Sequence, residues 1–341
     1  MVVPRQGPAG LFGPSCEAIA ELAMEEINAA GGVLGREVTL EFVDGGAAPR
    51  RTAREVSRLI DDGRADAVTG WHISSVRNAL APVVAGRIPY AYTALYEGGE
   101  TRDGIFCSGE IPRQQIAPAL RWLRDNLGAR RWFVVGNDFE WPHRSMVEVR
   151  RFAHDLDLRL CGTAFVPLGS GRARGLVRRV EAADCDGVLM LLVGGDAVEF
   201  NRQFAARGLH ERLVRFTPMT EENMLLASGS EATRNLFVCS AYFRSLVNGD
   251  AMDLLGRYQR MHGTDAPALN VVAESCYEGL TTLANLVRRA GSTELRDLNA
   301  VVDGAAYHGP RGTVEFHGQQ AHQHVHLAAV DGYDFDVITR L

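Results

Sequence analysis

Apolar residues recur at helical spacing through positions 16–30 (CEAIAELAMEEINAA), behind Pro14 and Ser15 and ahead of Gly31 and Gly32. Proline in a first turn and glycine past a last turn are start and stop signals, so this stretch predicts a long helix. The spacing then switches to the period of a strand at 38–44 (VTLEFVD) and back to that of a helix at 53–62. A buried strand is predicted at 65–70, ending on Gly70, a helix near 75–85 and a short strand at 89–93. Strand and helix in alternation imply a parallel sheet with both faces covered.

After IFCSG (105–109) the pattern restarts, with helices expected at 117–127, 144–156, 173–183 and 197–208. Strands are expected between them at 131–138, 158–167, 186–195 and 213–219, followed by the apolar run LFVCSAYF at 236–243. Three helical stretches follow (249–262, 270–289, 294–302), and the chain ends in β-rich segments, GTVEF and HVHLAAVDGYDFDVI. Two α/β runs of similar length predict two similar lobes. No low-complexity linker separates them, so the expected hinge is made of several chain crossings.

Length agrees, because 341 residues exceed the size at which one core stops growing. Hydrophobic residues at 46% and charged residues at 23% are ordinary for a globular protein. No apolar run reaches the roughly 20 residues needed to span a bilayer. A net charge of -6 argues against nucleic acid as a partner, since phosphate binding needs a basic face. Every basic residue apart from histidine is arginine, which removes Schiff-base and phosphate-loop lysine chemistry. The six cysteines (Cys16, Cys107, Cys161, Cys185, Cys239, Cys276) show no CxxC spacing and are expected as buried free thiols. Residues 1–4 are apolar but too short for a signal peptide, which leaves open a cytoplasmic chain or one whose export signal has been trimmed.

In open parallel sheets, ligands sit at the loops leaving the carboxyl ends of strands. Those loops here are QGPAGLFG, GWHISS, YTALYEGG, GNDFEWPH, VGGDA and PMTEEN, rich in glycine, hydroxyls and aromatics. Glycines let backbone groups approach, hydroxyls orient a solute and aromatics wall it off. Ser74 and Ser75 serve equally as caps of the helix they begin. Trp141 reads either as a wall of the site or as core, and Glu221 either as a solvated first-turn acid or as the partner of a solute ammonium. His322, His324 and His326 would share one face of a strand, but side chains along one strand splay apart, and no metal site is expected. Catalytic signatures are lacking: no GxSxG, no HExxH, and GSGRARG has no lysine. No enzyme activity and no cofactor are expected.

The opening GPAGLFG with AIAELAMEEINAAGGVLGREVTL resembles solute-binding proteins for branched-chain amino acids, amides and urea. GWHISSVRNALAPVV, ALYEGGETRDGIFCSGEIPRQQIAPALRWL, VVGNDFEWPHRSMVEVRRF and the tail GPRGTVEFHGQQAHQHVHLAAVDGYDFDVI are similar to the urea and short-chain amide branch, which includes cytoplasmic amide sensors. The resemblance spans nearly the whole chain in order. It implies the α/β type I periplasmic-binding-protein fold, two Rossmann-like lobes with parallel sheets joined by a three-crossing hinge. Lobe 1 is expected from 1–109 and 243–306, lobe 2 from 110–242 and 307–341.

By the same match, Trp71, His72, Ser74 and Ser75 supply first-lobe contacts, with Tyr92, Thr93 and Ala94 as a second contact loop. Phe139, Trp141, Gly194, Thr220 and Glu221 supply those of the second lobe. His72, Phe139 and Trp141 stand where tyrosines are common in amide binders. The expected function is to bind a short-chain amide, urea or aliphatic amino acid between the lobes, which close on it, as the receptor of an ABC-type permease. The alternative is a cytoplasmic amide sensor that releases a regulatory protein. No nucleic-acid partner is expected, and a homodimer is left open.

Overall fold

The computed structural model describes residues 1–341. The chain forms two compact units, Met1–Glu110 with Val247–Gln323, and Ile111–Leu246 with His324–Leu341. The chain therefore passes from one unit to the other three times.

The first unit opens with β1 (Val2–Val3), α1 (Gly13–Ala29), β2 (Val43–Asp44), α2 (Pro49–Asp61), β3 (Val68–Gly70), α3 (Ser74–Val84), β4 (Tyr90–Tyr92) and β5 (Ile105–Cys107). The second contains α4 (Pro112–Leu127), β6 (Arg131–Asn137), α5 (Glu140–Asp155), β7 (Arg159–Val166), α6 (Ala173–Glu181), β8 (Gly187–Leu191), α7 (Gly195–Ala205), β9 (Val214–Thr217), α8 (Glu222–Ser228) and β10 (Leu236–Ser240). The chain returns to the first through α9 (Gly249–His262), α10 (Val271–Ala290), α11 (Leu295–Val302), β11 (Ala306–Gly309), β12 (Gly312–His317) and β13 (Gln320–His322). It ends on the second with β14 (His326–Asp331) and β15 (Asp334–Arg340).

The second unit's sheet runs β15-β14-β10-β9-β8-β6-β7, parallel from β10 to β7, with β14 and β15 antiparallel at one edge. Its interior strand β8 is buried at every position, as expected of an unbroken apolar run covered on both faces. In the first unit, β3, β4 and β5 are parallel and continue into β13, β12 and β11, while β1 and β2 form a separate parallel pair. At Gly70 (φ 124°) a Cβ would stand 2.4 Å from the Val2 carbonyl oxygen, so glycine lets β1 lie close to the end of β3. Side-chain caps start the returning helices: Asn248 accepts from the Ala251 N–H and Asn270 from the Ala273 N–H, each at 2.8 Å.

Two segments depart from the expected lobe boundaries. Residues 307–323, expected in the second lobe, belong to the first unit. The alternating strand β12 turns Val314 and Phe316 into a core with Phe106, Leu286 and Leu298, and β13 pairs parallel with β5. Residues 243–246, expected in the first lobe, belong to the second. Phe243 packs its ring 4.8 Å from Phe335, and Ser245 donates to the Phe335 carbonyl at 2.6 Å.

The strand expected at 38–44 is reduced to Val43–Asp44, the two residues that pair with Val2 and Val3 of β1. The three alternate histidines do not share a strand either. His322 ends β13 in the first unit, His324 lies outside any strand and His326 begins β14 in the second. All six cysteines are free; five are buried and Cys161 is half-buried. No helix is long and apolar enough to cross a membrane.

A charged cluster lies inside the first unit. Arg311, in the turn between β11 and β12, has a fully buried side chain that donates to Glu274 and lies 3.7 Å from Glu110. Tyr307 donates to Glu278 at 2.7 Å beside it. Burial pushes the Glu274 and Glu278 carboxyls upward, while the adjacent guanidinium opposes this. One cation serves three carboxyl groups, so its removal strands buried charge. Arg311→Met is expected to cost on the order of 3–5 kcal/mol, read in urea unfolding monitored on the first unit. A loss under about 1 kcal/mol would show that the cluster is held some other way.

Candidate functional site

In the first unit the expected residues lie where β3 and β4 end and α3 begins. Most of their polar atoms are engaged internally. His72 is fully buried, with Nδ1 donating to the Val2 carbonyl at 3.1 Å, which leaves Nε2 to accept from the Tyr90 hydroxyl. Burial lowers its pKa to about 3, so the ring is neutral and is not a titrating contact. Tyr92 donates to the His72 carbonyl at 2.8 Å, and the Thr93 and Ser275 hydroxyls are 3.2 Å apart. Trp71 is buried edge-on against Phe12, ring centroids 5.0 Å apart. Ala94 is buried, and its carbonyl oxygen would lie 2.0 Å from a Cβ at Gly109.

Ser74 is also engaged, through a group that sequence reasoning passed over. Its hydroxyl donates to Glu97 Oε2 at 2.7 Å, while Arg77 donates to Glu97 Oε1 at 2.6 Å. The Arg77 side chain is 4% exposed, lies between the Tyr92 and Tyr96 rings at 5.1 and 4.7 Å, and also meets Glu100 at 3.3 Å. Arg77 thus holds the loop after β4 against α3 by charge and by ring stacking. The backbone N–H groups of Ser74 and Ser75 in the first turn of α3, and the half-exposed Ser75 hydroxyl, remain without partners.

In the second unit, Asn137 at the end of β6 ties the post-strand loops together. Its amide donates to Asp196 Oδ2 at 2.6 Å, its carbonyl accepts from the Val193 N–H at 2.8 Å, and Asp196 accepts from the Gly169 N–H at 2.7 Å. The loops after β6, β7 and β8 therefore share one polar knot. The only sequence signal for it was an asparagine ending one apolar strand and an aspartate in the first turn of the helix that follows another.

Gly194 precedes α7 at φ 50° and ψ −122°, a conformation that favours glycine. Phe139 precedes α5 half-buried, with its ring 6.3 Å from that of the buried Trp141. Thr220 is 2% exposed and its hydroxyl has no hydrogen-bond partner.

Glu221 is not a solvated first-turn acid. It is the buried cap of α8, with Oε2 accepting from the Asn223 N–H at 2.8 Å and Oε1 from the Met224 N–H at 2.9 Å. Burial, with Glu222 adjacent, raises its pKa to about 8 despite those bonds. No group of three or more His, Cys, Asp or Glu residues is arranged to hold a metal ion.

Two compact α/β units joined by three crossings, with polar loops after their parallel strands, define a two-unit ligand-binding architecture. The chain belongs to the periplasmic binding protein family, matched over residues 1–334. Its relatives include the Leu/Ile/Val-binding protein BraC3 of Rhizobium johnstonii, 28% identical over 99 residues, which are 29% of this chain and 24% of that protein. Another is the Leu/Ile/Val-binding protein homolog 3 of Brucella melitensis, 35% identical over 63 residues, 18% of this chain and 17% of the relative. The matched stretches thus cover under a quarter of either relative.

The fold is shared much more widely. The leucine-binding protein LivK of Thermotoga maritima superposes with a TM-score of 0.86 at 19% identity, covering 100% of this chain and 97% of that one. A Rhodopseudomonas palustris HaA2 solute-binding protein, solved with p-hydroxybenzoic acid, gives 0.89 at 17% identity, covering 100% and 95%. Both of these neighbours are named as binding proteins, and what this chain shares with them is the fold.

The raised Glu221 carboxyl has a sign that can be measured. With a folded pKa near 8 against an ordinary 4.5, its contribution to stability is full below about pH 4.5 and is lost as pH rises towards 8. Glu221→Gln keeps a cap acceptor but cannot ionise. Relative to wild type it is expected to gain on the order of a few kcal/mol between pH 5 and pH 8 in denaturant unfolding. Parallel pH profiles for the two proteins would contradict this.

Proposed function

We propose that this protein is the solute receptor of an ABC-type transporter and takes up a short-chain amide, urea or aliphatic amino acid at its post-strand loops. The observation that carries the polar-solute reading is the buried Thr220 hydroxyl with no partner. A buried polar group left unpaired requires an explanation, and a solute atom supplies one. The free N–H groups at the start of α3 offer donors to a carbonyl oxygen. A neutral solute is favoured because the one cation beside the candidate residues of the first unit, Arg77, is already held by Glu97 and Glu100. In the second unit Glu221 is spent on its cap.

The printed names of the relatives, Leu/Ile/Val-binding proteins, support the amino-acid end of this range. The p-hydroxybenzoic acid of a structural neighbour has no ammonium to balance its carboxylate, whereas an aliphatic amino acid carries both charges and is neutral overall. On this reading, solute shifts the population of conformations, and a permease reads the shift.

Thermal unfolding in the presence of acetamide, urea, leucine and 4-hydroxybenzoate separates these classes. A solute at 100 times its dissociation constant stabilises the folded state by about 2.7 kcal/mol. Stabilisation is expected from a neutral amide, urea or leucine, with Thr220→Val weakening it about tenfold through loss of one hydrogen bond. A response to 4-hydroxybenzoate alone would end the proposed solute class, and an unchanged affinity in Thr220→Val would remove Thr220 from the site.

A further inference from the structure

A pocket of about 310 Å³ lies within the first unit, between α10 and the start of β11. β11 is antiparallel to β12 and β12 to β13, while β13 is parallel to β5. β11 thus runs in the direction of β3, β4 and β5, and Ala306 at its start sits at the amino end of that sheet. The start of α3 and the loop after β4 sit at the carboxyl end, so the pocket is separate from the candidate loops.

Part of its lining is apolar, with Leu286 of α10, Phe316 of β12 and Ala305 all buried. The Thr282 and Tyr307 hydroxyls that also line it are engaged with each other at 2.8 Å. The remaining polar lining is open. The half-buried Asn285 amide and the Arg289 guanidinium have no partner in the protein. Arg288 donates to the Gly32 carbonyl at 2.8 Å and pairs with no carboxylate. Ala305 accepts from the Phe316 N–H at 2.8 Å, and alternation along an antiparallel ladder then turns the Ala306 N–H and carbonyl away from β12, to the open edge of the sheet. Two arginines and no acid line the pocket, in a chain of net charge -6. Arginines in a last turn suit the carbonyl end of a helix, but that role calls for neither an apolar recess nor a vacant amide.

We propose that this pocket binds a small monocarboxylate with an apolar tail, its carboxylate on Arg288 and Arg289 and its tail against Leu286, Phe316 and Ala305. A guanidinium meets a carboxylate through two parallel N–H bonds, and Asn285 supplies a further donor. The volume is at the lower end of those that hold small ligands, which suits an acid of about six carbons. An inorganic anion would meet the arginines but leave the apolar wall wet, and a neutral alcohol would do the reverse. The ligand differs in charge from the neutral solute proposed for the post-strand loops, and it binds independently of that solute.

The probe is hexanoate, tested by calorimetry and thermal shift on the intact chain, with hexanol and inorganic phosphate as controls. Hexanoate is expected to bind at millimolar concentration and the two controls are not. Arg289→Gln, at an exposed position with no partner to lose, is expected to melt as wild type does and to weaken hexanoate about tenfold through loss of a charged hydrogen bond. Asn285→Ala is expected to weaken it several-fold. Thr220→Val, in the second unit, is expected to leave hexanoate binding as it was, which separates this pocket from the post-strand loops. The proposal is overturned if hexanoate gives neither heat nor a shift, if hexanol or phosphate matches it, if Arg289→Gln binds it as wild type does, or if Thr220→Val weakens it as much as Arg289→Gln.

Discussion

A guanidinium buried against aromatic rings can stay charged only if carboxylates are brought to it, and Arg77 imposes that condition on the whole loop after β4. Glu97 and Glu100 answer it, Tyr92 and Tyr96 enclose it, and Ser74 joins through Glu97. The start of α3 and the end of β4 are thereby locked into one another. What remains free at this end of the sheet is mostly backbone donors and one half-exposed hydroxyl. The second unit reaches the same end without a cation, with Asn137 and Asp196 binding three loops through hydrogen bonds.

This division changes what the chemistry of the loops means. Serine, tyrosine, histidine and threonine after a strand look like ligand-binding groups, yet His72, Tyr92, Thr93 and Ser74 each satisfy another part of the protein. A site assembled this way is pre-organised: its shape is set before a solute arrives, and fewer side chains must be ordered on binding. On the proposed reading, the groups left to meet a solute are those whose own hydrogen bonds are incomplete.

The alternation of helix and strand, the two-unit plan and the long helices at 16–30, 249–262 and 270–289 were legible because helix period and stop signals are local properties. The positions of residues 243–246 and 307–323 were not. Whether an alternating strand such as β12 joins one sheet or another depends on which core accepts Val314 and Phe316, and that is a property of distant residues. The shortening of the 38–44 strand was hidden for the same reason, since which of its residues pair depends on a partner strand distant in the sequence. Among the candidate site residues, type and loop were readable, but the engagement of Ser74 by Glu97, twenty-three positions away, and of Glu221 by its own helix required coordinates.

The order in which strands enter the two sheets has a consequence for synthesis. The first unit's sheet receives β11, β12 and β13 only after all of the second unit's helices have been made, and β14 and β15 follow later still. Until residues 326–340 leave the ribosome, β10 is an open apolar edge. A nascent chain must therefore carry two unfinished sheets at once, so release before residue 326 would leave an adhesive, half-built sheet rather than a smaller working protein.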